Sequence, residues 1–447
     1  MRYGPAGSLR RGLGVVPLAA IVFFNVSGGP YGIEDTVSAF GPGLALLLLV
    51  LTPLVWSLPV ALVMAELASA LPDEGGYVTW VRRAFGPFWA FQVGWWSWVD
   101  SFVDLAGYPV LFAEYLRHWL PGMTPLTRWL IALAFIWILT GLNIRGVSVV
   151  GWGAVGLGLL ALAPVVALVI TGAGRMRFVP WERLAAPGGD LLQNLGLGLA
   201  VVMWNYSGWD TPTTCLGETR NPERAFRRAL ALSLPVITLA YVVPVGVGLA
   251  ATGPSEEWGT GALPRIGAQI GGPWLGDWIT LGAALSGAGL FLSLLLTNSR
   301  LPFVLAQANQ MPPVFAKIHA RYGTPWVAVV LSSVIYSAFA AFSFKALVVL
   351  NNWLYSLSLL VELAAFLALR RREPGLRRPW RVPGGRVGAW IVVVVPSGLA
   401  LLAMATAGVL NTAVAIVVAL TGPLAYLWVA RASGARRQGA WPGRGPQ

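Results

Sequence analysis

With 447 residues, 56% of them hydrophobic and only 11% charged, the chain excludes a soluble globular class, in which about 25% of residues are charged. Its formal charge of +13 invites a nucleic-acid reading, but the 31 Lys and Arg are spread over polar connections and not gathered on a soluble module. The single cysteine, Cys215, excludes an internal disulfide and any cysteine-based metal cluster, and reads as a small packing residue.

Apolar runs reach the ~20 residues that a membrane-crossing helix needs again and again. They predict an all-α polytopic membrane protein with twelve spans, at residues 13–39, 42–71, 86–116, 125–143, 146–171, 190–218, 227–252, 273–300, 324–342, 346–369, 387–409 and 411–430. Most of the Lys and Arg fall on the side shared by both termini, so the positive-inside rule puts the tails 1–12 and 431–447 in the cytoplasm. Arg10-Arg11 precedes no small-residue cleavage pattern and reads as an anchor for the first span. The expected location is the cell membrane.

In chain order, span 1 is interrupted at once. Phe24-Asn25-Val26-Ser27-Gly28-Gly29-Pro30-Tyr31-Gly32 sets three glycines and a proline at mid-membrane depth, where glycine weakens a helix and proline removes a donor. Glu34 and Asp35 follow the break. Span 2 carries Glu66 near its end, and span 3 carries Asp100, Asp104 and Glu114. Asp104 and Tyr108 are four apart and share a helix face, which suits an ammonium held by charge and by cation–π attraction. Span 5 contains no Lys or Arg between Val147 and Thr171. Span 6 has a second weak point, Trp204-Asn205-Tyr206-Ser207-Gly208-Trp209-Asp210-Thr211-Pro212. Span 8 offers Ser286 and Ser293, and span 10 offers Asn351, Asn352, Tyr355 and Glu362. The basic run from Arg370 to Arg381 reads as topology and attraction to anionic lipid.

The two breaks open two successive five-helix groups of opposite orientation, 13–171 and 190–369, with 387–430 adding two more helices. Interrupted spans at matching positions are the pointer to an inverted-repeat carrier with a midplane site. Every Lys and Arg lies in a loop, at a helix end or in a terminus, whereas several acids lie inside apolar stretches. Each such Asp costs about 2.5–3.5 kcal/mol at a helix centre. An acid-lined interior without bases suggests that something positive passes through it.

Glu66-Leu67-Ala68-Ser69-Ala70-Leu71-Pro72, Gly75-Gly76-Tyr77 and Ala84-Phe85-Gly86-Pro87 resemble the end of helix 2 in amino acid–polyamine–organocation permeases. Gly217-Glu218-Thr219-Arg220-Asn221-Pro222-Glu223-Arg224 likewise resembles the end of helix 6. The stretch Val26 to Asp35 departs from the Gly-Ser-Gly-Ile-Phe type of amino-acid members. With Trp98 to Leu111, and with Trp204-Asn205 and Trp209-Asp210, it is similar to the polyamine-uptake and L-type branch.

The resemblance implies alternating access around a site formed by Ser27, Gly28, Gly29, Tyr31, Glu34, Asp35, Asp104, Tyr108, Trp204, Asn205, Ser207, Trp209 and Asp210. It places Trp209 as an aromatic lid. In amino-acid members a substrate carboxylate would sit on the amides of Ser27–Gly29 and its ammonium on carbonyls around Trp204–Ser207. A polyamine lacks the carboxylate, and the cavity must gain acids. Several proton-coupled members keep a lysine in helix 5, which this chain lacks. The proton then falls to a carboxylate, and Asp104, Glu34, Asp210 and Glu362 are the coupling candidates.

The expected activity is proton-coupled uptake of a cationic amine or cationic amino acid. A neutral amino acid permease with structural acids is the competing reading, and a channel or a non-transporting sensor stays open. His118 and His319 both fall in loops and no HExxH, GxSxG or phosphate-binding motif is present, which argues against catalysis. No cofactor, metal or nucleic acid is expected. The partners are the bilayer, the small substrate and protons, and the oligomeric state is open.

Overall fold

The computed structural model describes residues 9–116, 119–120, 122–181, 201–253, 258–259, 261–341 and 351–438. Among them there is no strand, only an isolated bridge between Leu13 and Thr219. Among the described residues, eight helices are long and apolar enough to cross a membrane. They are Pro42–Ala70, Pro125–Ile144, Val147–Ala173, Pro222–Thr252, Pro273–Gln307, Trp353–Arg372, Gly385–Thr406 and Val409–Val429. They occupy expected spans 2, 4, 5, 7, 8, 10, 11 and 12. Val15–Val26 and Trp326–Phe339 are shorter apolar helices in spans 1 and 9. Span 3 is the 30-residue helix Pro87–Leu116, whose three acids make it more polar. The first eleven residues expected in span 6, 190–200, lie outside the described residues, as does 346–350 of span 10.

Two stretches read as connections are helical. Tyr77–Phe85 forms a short amphipathic helix between spans 2 and 3, and Ala262–Gly271 forms another before span 8. Span 7 also starts earlier than expected, at Pro222. Asn221 precedes it with φ 48°, a region that Asn tolerates, and proline is well suited to the first helical position.

Span 2 shows how a local defect positions the site. Pro53 has no N–H to give to the carbonyl four residues back, and a π-helical turn runs over Pro53–Ser57. The freed Leu49 carbonyl accepts the Tyr206 hydroxyl at 2.8 Å, and Ser57 Oγ donates to the Tyr206 carbonyl at 3.3 Å. A proline in span 2 thereby anchors the break of span 6.

Span 8 is the centre of the bundle. Its apolar stretch is 83% buried, against 11% for span 12 on the outside, and it packs on spans 3 and 5. Small residues allow this approach, as they do generally between membrane helices. A Cβ at Gly289 would fall on the Phe24 ring of span 1.

The expectation of an interior without bases needs correction. Arg300, at the end of span 8, is wholly buried and forks onto Glu218 at 2.8 and 3.1 Å. Its remaining nitrogen donates to the Leu296 carbonyl and Ser299 Oγ. Glu66 is held by Arg370 and Arg378 and accepts the Val382 N–H. Arg83 pairs with Glu373 at 2.6 Å and Arg128 with Glu114 at 2.9 Å. Helix-end arginines reach back along the bundle, because a long stem can place its charge a turn or more from its own Cα.

Candidate functional site

The glycines and proline after Asn25 end the first half of span 1 at Val26, and the second half begins at Glu34. Span 6 is helical over 201–205, breaks, and continues as a 3-10 turn over Thr211–Glu218. The groups released by the two breaks are caught by neighbours, as backbone at that depth requires. Ser286 Oγ donates to the Gly28 carbonyl. Tyr31 Oη donates to the Ala161 carbonyl at 2.7 Å, and the Tyr241 hydroxyl to the Asn205 carbonyl at 2.9 Å. Asn25 Oδ1 accepts the Thr297 hydroxyl at 2.8 Å.

Between the breaks lies a cavity of about 100 Å³. Span 1 lines it with Asn25, Val26, Ser27, Gly28 and Tyr31, and span 3 with Ser97, Asp100, Ser101, Asp104 and Tyr108. The span 6 break contributes Trp204, Asn205, Ser207, Gly208, Asp210 and Thr211. Tyr241, Tyr355 and Asn298 close it with Leu290 and Leu294. Three carboxylates face the space, and no Lys or Arg does among the described residues. The Tyr108 hydroxyl donates to Asp104 at 3.1 Å. Tyr355 Oη donates to Asp210 at 2.8 Å while accepting the Gly208 N–H at 2.9 Å. Such a wall offers charge, carbonyl oxygens and ring faces to an organic cation, and no fixed positive group to a substrate carboxylate.

Nine of the thirteen residues expected at the site meet in this cavity, and Gly29, Glu34, Asp35 and Trp209 do not line it. Glu34 is buried, and its two oxygens accept the N–H groups of Gly32 at 2.6 Å and Leu263 at 3.2 Å. It ties the turn before the second half-helix to the start of the short helix Ala262–Gly271. Asp35 follows about 100° further round the helix. Trp209 is wholly enclosed, with its indole N–H on the Tyr206 carbonyl at 2.7 Å. It props the break from behind, and the tryptophan in the wall is Trp204. Glu362 also lies outside the lining.

Sequence reasoning missed Asp100, Ser97, Ser101, Tyr241 and Tyr355 as wall residues. Asp100 carried a usable signal, since positions 97, 100, 101, 104 and 108 recur at three- and four-residue steps and share one face. Tyr241 and Tyr355 carried none, because their place depends on packing between distant spans.

Gly208 has φ +97° and a Cβ there would collide with the Asn25 carbonyl oxygen. The two breaks touch at this point. Gly208→Ala is expected to cost about 1–3 kcal/mol by overpacking, besides the positive φ. It should lower the thermal midpoint of the purified protein. A midpoint equal to wild type would contradict this contact.

The amino acid permease family matches residues 13–430 of the chain. A probable polyamine transporter of Arabidopsis thaliana is 37% identical over 404 residues, covering 88% of this chain and 82% of the relative. Polyamine transporter RMV1 of the same plant is 36% identical over 387 residues, covering 86% and 78%. Polyamine transporter PUT1 of Oryza sativa subsp. japonica is 36% identical over 400 residues, covering 89% and 74%. With a family match over nearly its whole length and relatives above 30% identity, this membrane protein belongs to the amino acid permease family.

Proposed function

We propose that the chain is a secondary carrier that imports polyamines by alternating access, driven by protons. The observation that carries this reading is the cavity wall, with Asp100, Asp104 and Asp210 facing one space and, among the described residues, no base opposite them. Asp100 and Asp104 are one helical turn apart, about 6 Å along the axis, a spacing suited to two amino groups on a short alkyl chain. The names of the relatives point the same way. An amino acid would bring a carboxylate into this acidic wall, where like charges disfavour it.

The architecture that goes with this reading has twelve spans, as two inverted repeats at 13–171 and 190–369 and a final pair at 387–430. Both termini face the cytoplasm, and the carrier lies in the cell membrane. The paired breaks at Ser27–Gly32 and Tyr206–Asp210 support the repeat, and the weight of Lys and Arg on one side supports the orientation. The absence of Lys and Arg from Val147–Thr171 leaves the driving proton to carboxylates.

Uptake into proteoliposomes under an imposed pH gradient tests the proposal, with putrescine, spermidine, arginine and alanine supplied separately. Putrescine or spermidine should accumulate only while the gradient lasts. Accumulation of alanine without either polyamine would overturn the substrate class, and accumulation indifferent to the gradient would overturn the coupling.

A further inference from the structure

Glu362 of span 10 lies 1% exposed, and neither of its carboxyl oxygens meets a hydrogen-bond partner. An ionised carboxylate cannot be buried in that way without a large penalty; it needs a proton or a bound cation. It shares a stripe with Tyr355 and Ser358, since steps of three and four residues keep one helix face. Tyr355 is in the cavity wall on Asp210, and Ser358 Oγ accepts from Ser97 Oγ, another wall residue, at 3.5 Å. Glu362 therefore sits about 10 Å beyond Tyr355 along the helix axis, toward the arginine-rich end. The short helix between spans 2 and 3, which begins at Tyr77, packs on span 10, and the Tyr77 hydroxyl is also buried without a hydrogen-bond partner.

Among the described residues, the charged surroundings of Glu362 are few. Asp210 acts on it from the span 6 break, Tyr77 and Tyr355 feel its charge, and Asp100 of span 3 also acts on Tyr77. Of the bases at these helix ends, Arg370 is committed to Glu66, Arg371 lies over the Trp390 ring, Arg372 donates to the Ala84 carbonyl and Arg83 pairs with Glu373. Ser97 and Asp210 of the cavity wall, Ser358, Glu362 and Tyr77 thus make a polar group between the cavity and the arginine-rich helix end, in which Glu362 and Tyr77 have no hydrogen-bond partner.

We propose that Glu362 and Tyr77 form a proton site separate from the amine site, which takes the coupling proton from the cavity and releases it on the side of the arginine-rich helix ends. This assignment rests on the carrier reading above. The amine occupies Asp100 and Asp104, and the proton passes from Asp210 to the Glu362 carboxylate and leaves past the Tyr77 hydroxyl. Amine and proton are then held by different acids, and each can be removed without the other.

The test compares two assays in proteoliposomes containing the whole chain. One is putrescine accumulation under an inward proton gradient, and the other is exchange of labelled for unlabelled putrescine with no gradient. Wild type should perform both; failure of the wild type to accumulate would refute the carrier reading itself. Glu362→Gln should keep exchange and lose accumulation, and Glu362→Asp should restore part of it. Tyr77→Phe should keep exchange and slow accumulation. Undiminished accumulation in Glu362→Gln would overturn the proposal while leaving the carrier intact. Loss of both activities in Glu362→Gln, with Glu362→Asp no better, would overturn it in favour of a purely structural acid.

Discussion

Asp104→Asn is expected to raise the Kd for putrescine by about 30-fold or more while leaving the amount of folded protein unchanged. The substitution keeps the side-chain volume, and the amide oxygen still accepts the Tyr108 hydroxyl that Asp104 accepts at 3.1 Å. Only the charge goes. Truncating one partner of a desolvated charge pair costs about 2–5 kcal/mol, and each 1.4 kcal/mol is a factor of ten in affinity. Asp100→Asn should act similarly, because Asp100 lines the same wall with an enclosed Oδ1 that has no hydrogen-bond partner. Glu34→Gln should behave differently. Its oxygens are engaged by Gly32 and Leu263, and its loss should lower the thermal midpoint with little change in Kd. Isothermal titration on purified protein checks all three. An unchanged Kd in both aspartate variants would remove the acidic-wall mechanism.

The contrast between Asp104 and Glu34 marks what the sequence could and could not convey. Spans were legible because length and hydropathy are local properties, and the breaks were legible because Gly28, Gly29, Pro30 and Gly208 act on their own backbone. Asp104 and Tyr108 were legible as a pair because four residues return to one face of a helix. Which way a half-helix turns after its break is not local. Trp209 directly follows Gly208 and Glu34 stands two residues after Gly32, both glycines of positive φ, and neither side chain lines the cavity. Arg300 was missed for another reason. Its partner Glu218 is 82 residues earlier in the chain, so a pairing that rewrites the account of buried charge left no pattern in either segment.

Arg300→Met should destabilise the protein by about 3–5 kcal/mol, the usual cost of removing one member of a buried ion pair. The pair is almost fully enclosed, with side-chain exposures of 0% and 1%, so water cannot replace the lost guanidinium. A second acid deepens the effect. Glu74, in the connection after span 2, packs its side chain over Gly217 beside Glu218. Burial and then the Glu218 charge push the Glu74 carboxyl above its ordinary value, while Arg300 opposes the rise. A carboxyl raised in the folded state stabilises the fold below the ordinary carboxylate range and ceases to do so as pH rises through the folded value. Removing Arg300 takes away the opposing charge, and the thermal midpoint of Arg300→Met should fall further below wild type as the pH is raised from acid to neutral. Glu74→Gln in that background should flatten this pH dependence. The double variant Glu218→Met with Arg300→Met should recover much of the stability, because an apolar pair leaves no uncompensated charge. These contacts join span 6, span 8 and the connection after span 2. A midpoint for Arg300→Met equal to wild type at every pH would show that the pair contributes nothing to holding them together.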